Sequence, residues 1–272
     1  MQLKTRKRII LLALLILNCT ASHGQFLDAA SGLLQMPSAD MGPAGTVMFT
    51  CNFLNQHTTP PAWSYNTFNY GISIVFFSRL EVGYVPTFIY KDNYYIAPSI
   101  EGLPPEYVEL INQDRHLYVK VLLLKEGDFG KSWIPALAIG VNDPTTGDVN
   151  KYKDIDYINF DVISGNGFFN RYYVVATKHF STPVGTLGAH LGYQYNRRHD
   201  LPYNGPCAAL DWEPVWFQKD KIISTKLIAE YDSHTFNIGF IASLWKDHIE
   251  IMAELQALRW FSGGIRFKTV LF

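Results

Sequence analysis

From Val47 to the C-terminus the chain alternates apolar and polar side chains with a period of two, segment after segment. That period belongs to an extended strand with one oily and one wet face, and helical periodicity is scarce beside it. Ile223, Thr225, Leu227, Ala229 and Tyr231 share one face of such a segment, and Ser224, Lys226, Glu230 and Asp232 the other. The pattern recurs with Phe236, Ile238, Phe240, Ala242 and Leu244, and again with Ile249, Ile251, Ala253 and Leu255 opposed to Glu250, Glu254 and Gln256. Twelve strands are predicted, near 44–54, 66–77, 79–90, 115–125, 132–142, 167–179, 184–195, 206–217, 222–232, 235–244, 248–258 and 261–272. Each has about the 9–11 residues that a tilted strand needs to cross a bilayer. The expected fold is all-β: an antiparallel, up-and-down transmembrane β-barrel of about twelve strands, of the Gram-negative outer-membrane type.

The connections and the aromatic residues agree with that architecture. Long connections are expected after the first, third, fifth and seventh strands and short ones after the second, sixth, eighth and tenth, the asymmetry of an outer-membrane barrel. Beyond the eighth strand both sides become short. Aromatic residues make up 15% of the chain, against 17% charged, too many for an ordinary soluble surface. Tyr84, Tyr90, Trp133, Tyr193, Trp212, Trp245, Trp260 and Phe272 are placed near strand ends, where amphipathic rings settle at headgroup level. The last segment, "GIRFKTVLF", ends on an apolar strand with an aromatic residue. Pairing it with the first strand satisfies its backbone and removes the sheet edge.

Residues 1–24 read as a secretory signal: four basic residues between Lys4 and Arg8, an apolar run from Ile9 to Leu17, then small residues before Gln25. The remaining chain, 25–272, is expected to form one barrel domain in the outer membrane. Lipidation at Cys19 is disfavoured because Asn18 occupies a position that wants a small residue. Cys51 falls on the apolar phase of its strand and Cys207 on the polar phase of a distant one, so two free thiols are expected. With 23 lysines and arginines against 24 acids, the net charge of −1 offers no electrostatic footprint for nucleic acid.

The face assigned to the lumen carries Arg79, Glu81, Lys120, Asp211, Glu213, Lys226, Glu230, Glu250, Glu254, Arg266 and Lys268, six acids against five bases, together with His190. Such balance differs from the single-sign field of an ion-selective pore. It suits a salt-bridge network that props the wall and narrows the channel, with a polar track for sugar as the alternative. His190, His116, Asp211 and Glu213 are the candidates for acid–base chemistry, but the lumen phase explains their polarity without it. Neither a serine in a sharp turn nor metal-ligand spacing is found. The acid-rich stretches Asp143–Asp148 and Asp154–Asp161 read as solvated turns, and "SGNG" at Ser164–Gly167 as a turn rather than a phosphate cradle.

Several motifs, in order, resemble the YjbH-type outer-membrane family. "GLLQMPSADMGPAGTV" resembles its opening motif, and "VKVLLLKEGDFGKSWIPALAIGVNDPTTG" its central strands. "GNGFFNRYYVVATKHF", "LGAHLGYQYN", "LDWEPVW" and "LIAEYDSHTFNIG" follow in the family's sequence. Two departures stand out: Val149–Ile163 looks inserted, and Asn170-Arg171 stand where a glutamate is common. At 272 residues the chain resembles one barrel module, shorter than some relatives. The resemblance implies a non-enzymatic accessory protein of exopolysaccharide or capsule production, acting with a polysaccharide export apparatus. Polysaccharide and export proteins are the partners it implies; the barrel reading adds outer-membrane lipid and the barrel assembly machinery, and no cofactor or metal is expected. A small porin or solute channel is the alternative function, and a lipid-modifying enzyme a third.

Overall fold

Twelve strands follow one another around a closed ring, β1 (Thr46–Leu54), β2 (Thr67–Phe76), β3 (Leu80–Tyr90), β4 (Ile111–Leu124), β5 (Ala136–Asn142) and β6 (Arg171–Thr182) forming one half. β7 (Gly185–Tyr195), β8 (Gly205–Pro214), β9 (Ile223–Tyr231), β10 (Phe236–Leu244), β11 (Ile249–Gln256) and β12 (Trp260–Val270) form the other. The structure, a computed structural model, describes residues 30–59, 66–90, 111–144, 167–197, 203–217 and 223–271. The signal segment, most of the two acid-rich stretches and Phe272 lie outside the described residues, as does the side chain of Tyr90.

Every strand pairs antiparallel with its neighbour in sequence, and β12 pairs with β1 to seal the cylinder, from Thr46 opposite Val270 to Phe53 opposite Gly263. The Leu271 amide donates to the Gly45 carbonyl at 3.0 Å and extends the seam one step further. The apolar end of the chain is thus held as a strand between β11 and β1. We call the rim at Thr46 and Val270 the termini rim, and the opposite end the far rim.

The wall is inside out relative to a soluble protein. In β2, Thr67, Asn69, Ser73 and Val75 are buried, while Phe68, Ile72 and Phe76 face outward and are exposed. The outward belt continues with Phe49, Leu117, Leu191, Leu210, Ile238 and Phe267. A ring of side chains this large and apolar meets an apolar phase or is shielded from water by one. Inside, glycines let neighbouring rings lie flat against the wall. A Cβ on Gly83 would fall 2.1 Å from the Tyr118 ring, and one on Gly140 would fall 2.2 Å from that of Tyr173.

Three strands, β4, β5 and β6, start four residues away from the expected boundary, and β8 ends at Pro214, where Val215–Phe217 turn into a 3-10 helix instead of extending the strand to 217. β4 begins at Ile111, because Asn112, Gln113 and Asp114 pair with Ile89, Phe88 and Thr87 and carry the ladder beyond the apolar belt. Polar residues there give no alternating signal. β6 begins at Arg171 rather than 167: Gly167 takes a φ of 83° and accepts from the Asn170 amide at 3.0 Å, forming a turn. Phe168 and Phe169, which read as strand, are buried beside this turn, and Phe169 stacks on His116 with centroids 4.7 Å apart. β5 begins at Ala136, leaving Trp133 exposed in the β4–β5 turn. Of the remaining aromatics, Trp212 and Trp245 sit at the termini rim and Tyr193 and Trp260 at the far rim. Tyr84 does not reach a rim. It is outward-facing but mid-strand, opposite Ile72 and Leu117. Cys51 faces out and Cys207 in, and both are free thiols.

Glu250 of β11 ties two cations of β12, accepting from Lys268 Nζ at 2.7 Å and lying 3.5 Å from Arg266 Nη1, with all three side chains buried. Glu250→Ala leaves Lys268 buried without its carboxylate, a change of about 3–5 kcal/mol for such groups. The expected outcome is loss of the folded, fast-migrating form at a lower temperature in heat-modifiability gels. An unchanged transition would show that the seam does not depend on this ion cluster.

Candidate functional site

The barrel's polar interior is occupied by the segment that precedes β1. Ala30 to Ala39 are all buried, threaded into the lumen from the termini rim. The chain turns back on itself at "GLLQMP": Gly32 bridges Pro37, and the Leu33 amide donates to the Met36 carbonyl at 3.0 Å. This turn aims three successive backbone amides the same way, forming a concave nest for an anion. The anion is Glu230. It accepts from the Gln35 amide at 2.6 Å, from Leu34 at 3.1 Å and from Met36 at 3.2 Å, and Asn237 Nδ2 adds a fourth donor at 3.2 Å. Hydrogen bonds to a charged acceptor contribute about 1.5–3 kcal/mol each, enough together to offset the several kcal/mol of burying a carboxylate.

Other wall charges grip the same segment. Lys120 Nζ donates to the Ser31 carbonyl at 3.0 Å, to its hydroxyl at 2.8 Å and to the Asp40 carbonyl. Glu81 accepts from the Ser31 amide at 3.0 Å, from its hydroxyl, and from Tyr118 at 2.6 Å. Arg266 donates to the Ala30 carbonyl at 2.8 Å and to Thr50 Oγ1 at 3.0 Å. Glu254 accepts from the Gln35 side chain, whose main-chain carbonyl accepts from Arg171 at 2.8 Å. Leu33, Leu34 and Met36 pack into an apolar patch of the inner wall that includes Tyr173, Val175, Cys207, Ala209 and Ile228. Burial of each such side chain contributes about 1.5–3 kcal/mol. Toward the far rim, Tyr203 is buried against Arg171, ring to guanidinium 5.0 Å, and packs edge-on against Phe168. Burial, and then the nearby Asp232, push the Tyr203 phenol well above its ordinary pKa, so it is neutral.

A second cluster lies beside the plug. Asp211 Oδ2 sits 2.6 Å from His190 Nε2, and Asp211 Oδ1 is 3.1 Å from Lys226 Nζ. His190 Nδ1 lies 2.9 Å from Thr177 Oγ1, which accepts from the Ala39 amide at 2.9 Å. The order acid, imidazole, hydroxyl matches a nucleophile relay in outline. Here, however, the hydroxyl is buried and holds plug backbone. Nearer the rim, Glu126 of the β4–β5 turn bonds Lys178, and its Oε2 lies 2.9 Å from His179 Nδ1. Partial burial raises the Glu126 pKa, but the hydrogen bonds from Lys178 and His179 outweigh it and hold the carboxyl below its usual range.

Of the twelve residues assigned to the lumen, ten are buried, and most of them contact plug or one another. Arg79 instead occupies the β2–β3 turn, where it is 43% exposed, donates to the Leu123 carbonyl at 3.1 Å and lies 3.5 Å from Asp128. A strand starting one residue early in the reading put it inside. Glu213 is half-buried near the end of β8. Sequence reasoning did not find the plug itself, with Ser31 in it, nor Thr177 and Arg171, which hold it. The available signal was a pair of leucines in a segment with no alternation, between the signal and the first strand.

Comparison with known proteins bears on this segment directly. Residues 25–150 match the model of the YjbH family, described as exopolysaccharide biosynthesis protein YbjH. The resemblance read from the motifs is thereby borne out over those residues, which include the plug and β1 to β5. Among solved structures the chain is similar to LpxR from Salmonella typhimurium, at 7% identity and a TM-score of 0.36, over 82% of this chain and 99% of that one. Comparison with curated proteins gives no match.

If the plug is held chiefly by the Glu230 nest, Glu230→Ala leaves three buried amides without their acceptor, at about 1–3 kcal/mol for each donor. Cys207, buried under the plug, is a native reporter. A water-soluble maleimide, located by peptide mass spectrometry, is expected to leave Cys207 unlabelled in the parent protein and to label it in the variant. Equal labelling of both would contradict the assignment.

Proposed function

We propose that this chain is an outer-membrane barrel, closed by its own N-terminal segment, that serves exopolysaccharide production as a non-enzymatic accessory of the export machinery. The observation that carries the reading is the occupied lumen. A wall whose charges are spent on backbone groups of the same chain is built to hold that segment and not to conduct solute. The outward apolar belt supports a place in lipid, and the family match over residues 25–150 supports the connection with exopolysaccharide. The buried Thr177 hydroxyl, engaged by Ala39, gives no support to a lipid-modifying reaction at His190.

A standing solute channel is the reading to separate from this one. In planar bilayers the purified barrel is expected to show no steady conductance, whereas a variant lacking residues 30–41 is expected to conduct through the vacated lumen. Steady conductance of the parent protein would favour the channel. In cells, deletion is expected to lower surface or secreted polysaccharide, and the plugless variant is expected not to restore it. Unchanged polysaccharide on deletion would remove the proposed role.

A further inference from the structure

The β6–β7 hairpin and the plug, distant from it in sequence, bring Asp40 of the plug, His179 of β6 and His190 of β7 together, with one ligand-capable atom of each within 4.8 Å of the others. Each imidazole has a carboxylate at one of its nitrogens. His179 Nδ1 faces Glu126 Oε2 at 2.9 Å, which turns its Nε2 toward Asp40 Oδ1, 3.7 Å away. His190 Nε2 faces Asp211 Oδ2 at 2.6 Å, which leaves Nδ1 on the inner side, beside Thr177. Each ring thus gives one nitrogen to a carboxylate, the buttressing that metal-ligating histidines almost always show, while His179 Nε2 points to Asp40 and His190 Nδ1, now paired with Thr177 Oγ1, exchanges that hydrogen bond for the ion when one binds. The rings meet edge to face with centroids 6.0 Å apart.

The span fits an ion better than a hydrogen bond. At 3.7 Å, His179 Nε2 and Asp40 Oδ1 are beyond hydrogen-bond distance. Two ligands held about 2.0–2.2 Å from a tetrahedral ion lie about 3.4 Å apart, so the His179–Asp40 pair needs a movement of a few tenths of an ångström, and His190, within 4.8 Å of both, one of about an ångström. Two imidazoles and a carboxylate select zinc and its first-row neighbours over calcium or magnesium. Asp40 and His179 are partly exposed, which leaves a path for entry. We propose that Asp40, His179 and His190 bind one divalent transition ion of the zinc class, with water or the Thr177 hydroxyl as fourth ligand, and that the ion clasps the plug to the wall. An ion that binds only the plugged state stabilises it in proportion to its occupancy. Sequence spacing gave no sign of this site, because one ligand comes from outside the strands and the other two from adjacent strands on which His190 lies opposite Thr177, making it a diagonal neighbour of His179.

The test is zinc titration of the full purified chain in detergent against a chromophoric chelator, with zinc-edge X-ray absorption on the one-to-one complex. One equivalent is expected to bind, with scattering from two imidazoles. Asp40→Asn and His179→Ala are each expected to weaken binding at least 100-fold, and Glu126→Gln by about 10–100-fold through its loss of hold on His179. Heat-modifiable migration verifies that each variant is folded. Absence of stoichiometric binding, or affinity in Asp40→Asn and His179→Ala equal to that of the parent protein, overturns the proposal. Should both variants fail to fold, a parent spectrum without two imidazoles overturns it on its own. None of these outcomes depends on the role in polysaccharide production.

Discussion

The molecule depends on one exchange: charges that face inward from the wall are satisfied by the backbone of a segment from the same chain. A carboxylate such as Glu230 in a narrow cylinder has few ways to avoid the cost of lost hydration. An opposite charge is one, and a trapped water another. This chain uses three amides at a turn, with Lys120, Arg171 and Arg266 taking carbonyls of the same segment. Donors and acceptors of the plug are thus matched by acids and bases of the wall, which explains why the lumen carries both signs in near balance. The apolar contacts of Leu33, Leu34 and Met36 add a non-directional term to this directional one.

The exchange has consequences for both rims. Because the plug enters beside β1, the strand that closes the ring also carries the plug's root, and the seam with β12 and the filling of the lumen are coupled through Arg266, which bonds Ala30 and Thr50 together. At the far rim, Phe168, Phe169 and Tyr203 turn inward where a solute channel would open outward. The barrel therefore presents rims and an apolar belt to its surroundings, while its interior is spent on itself.

Much of the wall was legible in the sequence, because a barrel's alternation is imposed by the different surroundings of its two faces. The expected boundaries of β1, β2, β3, β7, β9, β10 and β11 match the structure to within a few residues, and the inward phase of Lys226, Glu230, Glu250, Glu254 and Arg266 is buried as its alternation implies. What failed to show obeys no period. The start of β4 at Asn112 to Asp114 lies past the apolar belt, Phe168 and Phe169 are apolar for the sake of an inward fold, and the plug is a turn whose partners come from nearly every part of the ring. The grouping of Asp40, His179 and His190 was invisible for the same reason: it forms only when the plug brings Asp40 against the β6–β7 hairpin.

The central claim, that the Leu34 to Met36 turn is docked in the lumen, is tested most directly by hydrogen–deuterium exchange of its amides in the purified barrel. Amides locked on Glu230 in a water-poor interior are predicted to exchange as slowly as those of the wall strands. Exchange at the rate of a free peptide would show the lumen to be empty of this segment, and the account of the interior would fail with it.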